Sequence, residues 1–201
     1  SVKKKLLFIV NVDWFFLSHR LPIALEAIRK GYEVHVATAL TDKLAELKSH
    51  GFNVHSLSLD RASTNIFTVL KEFKQIISVI RGVKPDLVPL VTIKPVIFGG
   101  IAVRLAGAHG VVAAVPGLGA IFISKGWQAL LRKIVIVNLY RLAFGKRNLK
   151  VIFQNPSDLE TMQKHTNLAA RKMEIISGSG VNLTEYRPVP LPDGTPVVVM
   201  A

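Results

Sequence analysis

Directly after the first long apolar run, Asp13, Ser18, His19 and Arg20 bring a carboxylate, a hydroxyl, an imidazole and a guanidinium into one short stretch. Such a set can orient a hydroxyl, move a proton and hold an anion. Lys94 adds a cation further along, and the pairs Gly117-Leu118-Gly119 and Gly178-Ser179-Gly180 would let a ligand approach backbone N–H groups closely. Each feature also has a plainer role. Asp13 and Ser18 make good helix caps, and a lone histidine such as His19 is common as surface or filler. Arg20 is less easily explained away. With Leu21-Pro22 behind it, it falls in the opening turn of a helix, where a cation opposes the macrodipole unless an anion or carboxylate is near.

Other chemistries drop out. Neither glycine pair is followed by the third glycine of a dinucleotide fingerprint, and no Gly-Lys-Ser or Gly-Lys-Thr phosphate loop occurs. The chain has no cysteine, so a thiol nucleophile and a disulfide framework are excluded, and its six histidines are scattered singly. No bound metal is expected.

These residues need a scaffold. Short β-branched apolar runs alternate with longer amphipathic segments, which predicts an α/β fold: a doubly wound, mainly parallel, Rossmann-like sheet. The strands are expected at 5–12, 33–38, 53–57, 87–91, 111–115, 150–154 and 174–177, and the helices at 18–30, 42–50, 65–82, 95–106, 126–144 and 156–165. Gly31, Gly51, Gly107 and Gly145 suit left-handed caps just past helices, and Pro95 and Pro156 suit first turns. In such sheets ligands gather at the carboxyl ends of the strands. The post-strand loops, with Asp13, Ser18, His19, Arg20, Lys94, Gln154 and Asn155, are therefore expected to converge on one polar hollow. Pro188, Pro190, Pro192 and Pro196 with Asp193-Gly194 read as a stiff linker, and 197–200 as the first strand of another domain. The boundary is placed near Arg187, giving a domain over 1–187 and a linker plus strand over 188–201.

Charge narrows the partners. The 201 residues carry 26 Lys and Arg against 13 Asp and Glu, a net charge of +13, and half of them are apolar. A sizeable core and an anionic partner are both implied. From Leu87 to Ser157 there are nine Lys and Arg and no acid. Within that stretch Trp127, Leu130, Leu131, Ile134, Val135, Val137, Leu142 and Phe144 fall on one broad helical face, with Arg132, Lys133, Lys146 and Arg147 on or near the other. Two readings stand: a basic amphipathic helix in a lipid interface, or a crossover helix packed on the sheet. A non-enzymatic module binding nucleic acid or another anionic polymer is the alternative, disfavoured because the cations are not interleaved with aromatics. No leader sequence opens the chain and no glycine-free apolar span occurs, so a cytoplasmic placement is expected.

Beyond these physical signals, Asp13-Trp14-Phe15-Phe16-Leu17-Ser18-His19-Arg20, Gly31-Tyr32-Glu33-Val34-His35, Asp60-Arg61-Ala62-Ser63, Val115-Pro116-Gly117-Leu118-Gly119 and Gly178-Ser179-Gly180-Val181-Asn182 form a pattern. The pattern resembles the N-terminal domain of family 4 glycosyltransferases of the GT-B fold. Arg61-Ala62-Ser63 and the Gly117 loop look most like the bacterial branch acting on undecaprenyl-diphosphate-linked saccharides, including bacillosamine-linked N-acetylgalactosaminyltransferases.

The resemblance implies the acceptor-binding half of a retaining transferase, peripheral on the inner face of the cytoplasmic membrane. Its co-substrate would be a nucleotide-sugar bound mostly by a second half, with no other cofactor and no metal. The acceptor implied is a polyprenyl-diphosphate-linked saccharide. Matching positions imply Asp13 and His19 as catalytic candidates, with Asp13 orienting the acceptor hydroxyl. They imply Trp14, Ser18, Arg20, Arg61, Lys94, Gly117, Leu118 and Gly119 on the acceptor, and Gly178, Ser179 and Gly180 beside the donor phosphates. Many relatives carry a histidine after the fifth strand where this chain has Pro116-Gly117-Leu118-Gly119, which weakens an acid–base role for any histidine.

Overall fold

The computed structural model describes residues 3–59, 65–115, 117–118, 126–178, 180, 183–184, 186–187 and 190. Seven strands form one parallel sheet: β1 (Lys5–Val12), β2 (Glu33–Ala39), β3 (Asn53–Ser56), β4 (Leu87–Val91), β5 (Gly110–Val115), β6 (Leu149–Phe153) and β7 (Met173–Ile175). The helices are α1 (Asp13–His19), α2 (Leu21–Arg29), α3 (Leu44–Ser49), α4 (Ile66–Val83), α5 (Ile93–Ala106), α6 (Trp127–Ala143) and α7 (Pro156–Thr166). The sheet order is β3-β2-β1-β4-β5-β6-β7, so the winding reverses between β1 and β4, where Val10 pairs with Val91. This is the doubly wound α/β architecture the alternating pattern predicts.

Side-chain alternation sorts the core into two layers. Leu6, Phe8 and Val10 of β1, with Val34 and Val36 of β2, face Phe16, Ala24 and Leu47 from the first three helices. On the opposite face, Leu7, Ile9, Val88, Leu90, Val111, Ala113, Val151 and Phe153 meet Ile76 and Ile80 of α4, Val96 and Val103 of α5, Tyr140 of α6 and Met162 of α7. Fully buried groups such as Phe8, Phe16 and Phe153 each stabilise the fold by about 1.5–3 kcal/mol. Helix α5 lies at the centre of its layer because Gly99 and Gly100 have no side chain. A Cβ on Gly99 would strike Leu90, and one on Gly100 would come within 2.8 Å of the Ala143 Cβ.

Local signals set most ends. The Asn65 side chain accepts from the Phe67 N–H at 2.9 Å, and Asn155 caps α7 by accepting from the Asp158 N–H at 2.8 Å with Pro156 at the first position. Gly31, Gly51 and Gly107 take the left-handed conformation expected of them. Gly145 does not. Phe144 caps α6, and Gly145 is needed for close approach instead, since the Arg104 guanidinium fills the space a Cβ would take and donates to the Leu142 carbonyl at 2.7 Å.

The largest departure from expectation lies after β1. The sequence pattern predicts a loop over 11–20 leading to a helix at 18–30, but α1 starts at Asp13, breaks at Arg20 and restarts as α2. Pro22 has no N–H to give to the Ser18 carbonyl, so one continuous helix cannot form there. Ser1, Val2, the 60–64 segment with Arg61, Pro116, 119–125, Ser179 and nearly all of the expected linker and final strand lie outside the described residues.

Candidate functional site

The carboxyl edge of the sheet is built from the ends of β1, β4, β5, β6 and β7 and the N-terminal turns that follow them. Beside it a cavity of about 420 Å³ runs along the sheet face that carries α1 and α2. Its walls are apolar, with Phe8, Pro89, Val112, Ala114, Ile152 and Ile176 among them, and its polar groups are His19, Arg20, Gln154 and the backbone of Gly178. The expected single polar hollow is therefore corrected. Arg20, His19 and Gly178 come together, whereas Asp13, Lys94 and Gly117 do not line this space.

Each absentee has its own physical reason. Asp13 is fully buried at the first position of α1, and its carboxylate is occupied by the β2–α3 connection. Oδ2 accepts from the Thr41 N–H at 2.7 Å and the Lys43 N–H at 3.3 Å, while Oδ1 accepts from the Thr41 hydroxyl and the Trp14 N–H, each at 2.8 Å. Burial alone would push this acid up, but the four donors outweigh it and hold Asp13 below the usual carboxylate range. Lys94, in the first turn of α5, donates to Glu72 Oε2 at 3.0 Å. Glu72 is almost wholly buried on the inner stripe of α4, so this is an interior ion pair. Leu118 is buried in the core, and Gly117 lies nearest the Asp158 carboxylate.

The residues that do reach the cavity have useful geometry. Arg20 is partly buried, and burial pulls its guanidinium down from its ordinary value. His19 stacks on Phe15 with ring centroids 4.1 Å apart. Ser18 Oγ lies 2.6 Å from His19 Nδ1 and 3.2 Å from the Phe15 carbonyl. The carbonyl can only accept, so it takes the Ser18 proton, and His19 Nδ1–H then donates to Ser18 Oγ. That tautomer, assigned from the hydrogen-bond network, leaves His19 Nε2 as an acceptor. Trp14 is exposed, and Gly178 and Gly180 adopt positive φ of 71° and 69°.

Sequence reasoning missed three groups. Asn11 Oδ1 and Thr92 Oγ1, at the ends of neighbouring strands β1 and β4, are buried with no hydrogen-bond partner among the described residues, and Thr92 holds φ at 74°. Asn11 interrupts an otherwise apolar strand, which is a legible signal; Thr92 gives none. Glu72 falls at helical spacing with Ile76 and Ile80, and an acid on a buried stripe announces a buried cation.

On α6 the side chains divide between a face packed on the sheet layer and an exposed one. Ala129, Val137, Tyr140 and Ala143 pack inward, whereas Trp127, Leu130, Leu131, Ile134, Val135 and Leu142 remain exposed. Val137 and Phe144 thus separate from the other members of the broad apolar face by packing inward. Lys146 and Arg147 follow the C-terminal end of the helix, about 25 Å from Trp127 along its axis. Arg132 and Lys133 lie in its first half. Among the described residues no helix is long and apolar enough to cross a membrane, and no three His, Cys, Asp or Glu side chains are grouped to hold a metal ion.

Comparison with known proteins matches residues 5–155 to a family described as glycosyl transferase 4-like. A Campylobacter jejuni protein, N,N'-diacetylbacillosaminyl-diphospho-undecaprenol alpha-1,3-N-acetylgalactosaminyltransferase, is 32% identical over 182 residues, covering 87% of this chain and 48% of its own length. The chain thus spans about half the length of that relative. Among solved structures, sucrose-phosphate synthase from Thermosynechococcus elongatus superposes with a TM-score of 0.66 at 13% identity, over 93% of this chain and 51% of the other. A glycosyltransferase from Rickettsia africae gives 0.60 at 14% identity, over 96% and 47%. At such identities these two show the shared fold alone.

Proposed function

Since the chain belongs to the glycosyl transferase 4-like family, we propose that it is the acceptor-binding half of a retaining transferase using a nucleotide-sugar. The sugar moved is a hexose or N-acetylhexosamine, and the acceptor is a polyprenyl-diphosphate-linked saccharide, the acceptor class printed in the name of the Campylobacter relative. The observation that carries this reading is the pairing of Arg20 with an apolar-walled cavity at the carboxyl edge. A guanidinium in partly desolvated surroundings favours a diphosphate bidentately.

In this reading His19 Nε2 accepts a hydrogen bond from a sugar hydroxyl, and Gln154 and the Gly178 backbone orient neighbouring oxygens. In a retaining transfer the departing phosphate can itself take the acceptor proton, so His19 need only orient. Asp13 becomes a positioning residue: it fixes α1 and, through it, Ser18, His19 and Arg20. Trp14, Arg61, Gly117, Leu118 and Gly119 are further acceptor candidates, and Gly178, Ser179 and Gly180 line the donor side. The enzyme works as a peripheral protein on the cytoplasmic face of the membrane.

Equilibrium binding tests this. The chain binds a detergent-solubilised polyprenyl-diphosphate disaccharide, and Arg20→Ala weakens that binding about tenfold, a loss of about 1.4 kcal/mol. Unchanged affinity in the variant removes Arg20 from the site. Tighter binding to duplex DNA than to the lipid-linked sugar returns the chain to the polymer-binding alternative.

A further inference from the structure

Helices α4, α5 and α6 lie side by side on one face of the sheet, and each returns antiparallel to the strands it connects. Their N-terminal turns therefore share the carboxyl edge. At that edge two of the three do something a packed crossover helix has no structural need to do. Helix α4 exposes Ile66, Phe67 and Leu70, with Phe67 at 79%, and α6 exposes Trp127, Leu130 and Leu131, with Trp127 at 71%. Deeper along α4 the apolar residues turn inward, as Ile76 and Ile80 do; on α6 Val137 and Tyr140 turn inward while Ile134, Val135 and Leu142 continue the exposed apolar face.

The exposed charge of α4, α5 and α6 has one sign, whereas α7 on the same face carries Asp158 and Glu160. Lys71, Lys74 and Arg81 line the outer stripe of α4, and Arg132, Lys133 and Arg141 belong to α6. The one acid on α4, α5 and α6, Glu72, is buried against Lys94. Two shallow depressions of about 510 and 490 Å³ follow α4, the first lined by Phe67, Leu70, Lys71 and Lys74, the second by Lys74, Arg81 and Leu105. They offer cations beside apolar surface, at a depth suited to phosphate headgroups.

We propose that the N-terminal turns of α4 and α6 are the two feet of a platform that seats the chain on an anionic phospholipid bilayer with the carboxyl edge of the sheet toward the interface. An anionic polymer would account for the cations but gives no role to exposed Ile66, Leu70, Leu130 and Leu131. A bilayer accounts for both, since aromatic and aliphatic groups enter the acyl boundary while lysine and arginine meet the headgroups. Two feet also fix orientation, which one amphipathic helix does not. The inference deepens the acceptor reading by naming the surface on which a lipid-linked substrate is met, and it rests on that reading only for its purpose.

Co-sedimentation with phosphatidylcholine vesicles containing one-third phosphatidylglycerol, without polyprenyl lipid or sugar, tests the platform separately from acceptor binding. The double variant Ile66→Ser/Phe67→Ser should bind about tenfold more weakly, and Trp127→Ser similarly. Combining the two sets should multiply the losses, while Leu25→Ser, exposed on the opposite face and outside the cavity, should bind like the parent. All these side chains are exposed, so circular dichroism and melting temperature should hold. The platform is overturned if the α4 variant binds normally, if neutral phosphatidylcholine vesicles bind as well, or if Leu25→Ser is as damaging. A chain that binds these vesicles but no lipid-linked saccharide keeps the platform and refutes the acceptor reading.

Discussion

Strands β1 and β2 are buried almost without interruption along their length, whereas β4, β5 and β6 alternate between buried and half-buried residues. The two halves of the sheet thus differ in cover. Around β1 and β2 helices lie on both faces, and the Asp13 carboxylate ties α1 to the next connection. Around β4 to β6 one face carries α5 to α7, and the other forms the wall of the apolar cavity. Parallel sheets are ordinarily covered on both sides. The half that closes itself provides the frame, and the half left open provides the cavity.

The strongest way to break this comparison is at the Lys94–Glu72 pair. If the pair is part of the frame, Lys94→Ala removes the ammonium from a buried carboxylate and lowers stability by about 3 kcal/mol in urea unfolding. Replacing both residues, Lys94→Met with Glu72→Leu, should regain most of that loss. A single-variant loss below about 1 kcal/mol would mean that the Glu72 carboxylate does not depend on this ammonium, and Lys94 would return to the list of ligand contacts.

Asp13 gives the next largest effect and separates frame from chemistry. Asp13→Asn weakens charge-assisted bonds and places an amide where donors already point, costing about 2 kcal/mol near neutral pH. The sign with pH follows from the lowered folded value. A depressed carboxylate contributes its full stability above about pH 4 and loses it as pH falls through the folded value, so parent and variant should converge in acid. In the acceptor-binding assay Asp13→Asn should change affinity little where the protein is fully folded. A tenfold loss of affinity with unchanged stability would make Asp13 a direct ligand.

How far the sequence could be read follows the same division. The seven strands, their helices and the caps at Gly31, Gly51 and Gly107 were legible because each rests on local pattern: apolar periodicity, or the left-handed tolerance of glycine. The break at Arg20 was written in Pro22, since a proline forbids the bond a continuous helix would need. The partners of Asp13 and Lys94 were not legible, because Thr41 and Glu72 lie 28 and 22 residues away and only the fold brings them near. Nor does local pattern say whether a half-apolar strand face will be covered. That depends on which crossovers exist, and among the described residues none returns across the first face beyond β1.

The smallest effect tests that uncovered face within a single strand. Val111 and Val112 are adjacent in β5; Val111 packs beneath the α4–α7 layer at 2% exposed, and Val112 lines the cavity half-buried. Threonine has valine's shape and exchanges one methyl for a hydroxyl, so the substitution reports whether water reaches the site. Val111→Thr buries a hydroxyl and should cost about 1–2 kcal/mol, while Val112→Thr should cost under about 0.5 kcal/mol, because its hydroxyl keeps water. The pair is compared by urea unfolding at several protein concentrations. Equal costs that grow with concentration would show a second copy covering the β4–β6 face, and equal costs independent of concentration would show the cavity closed in solution, which would leave Arg20 without a ligand to meet.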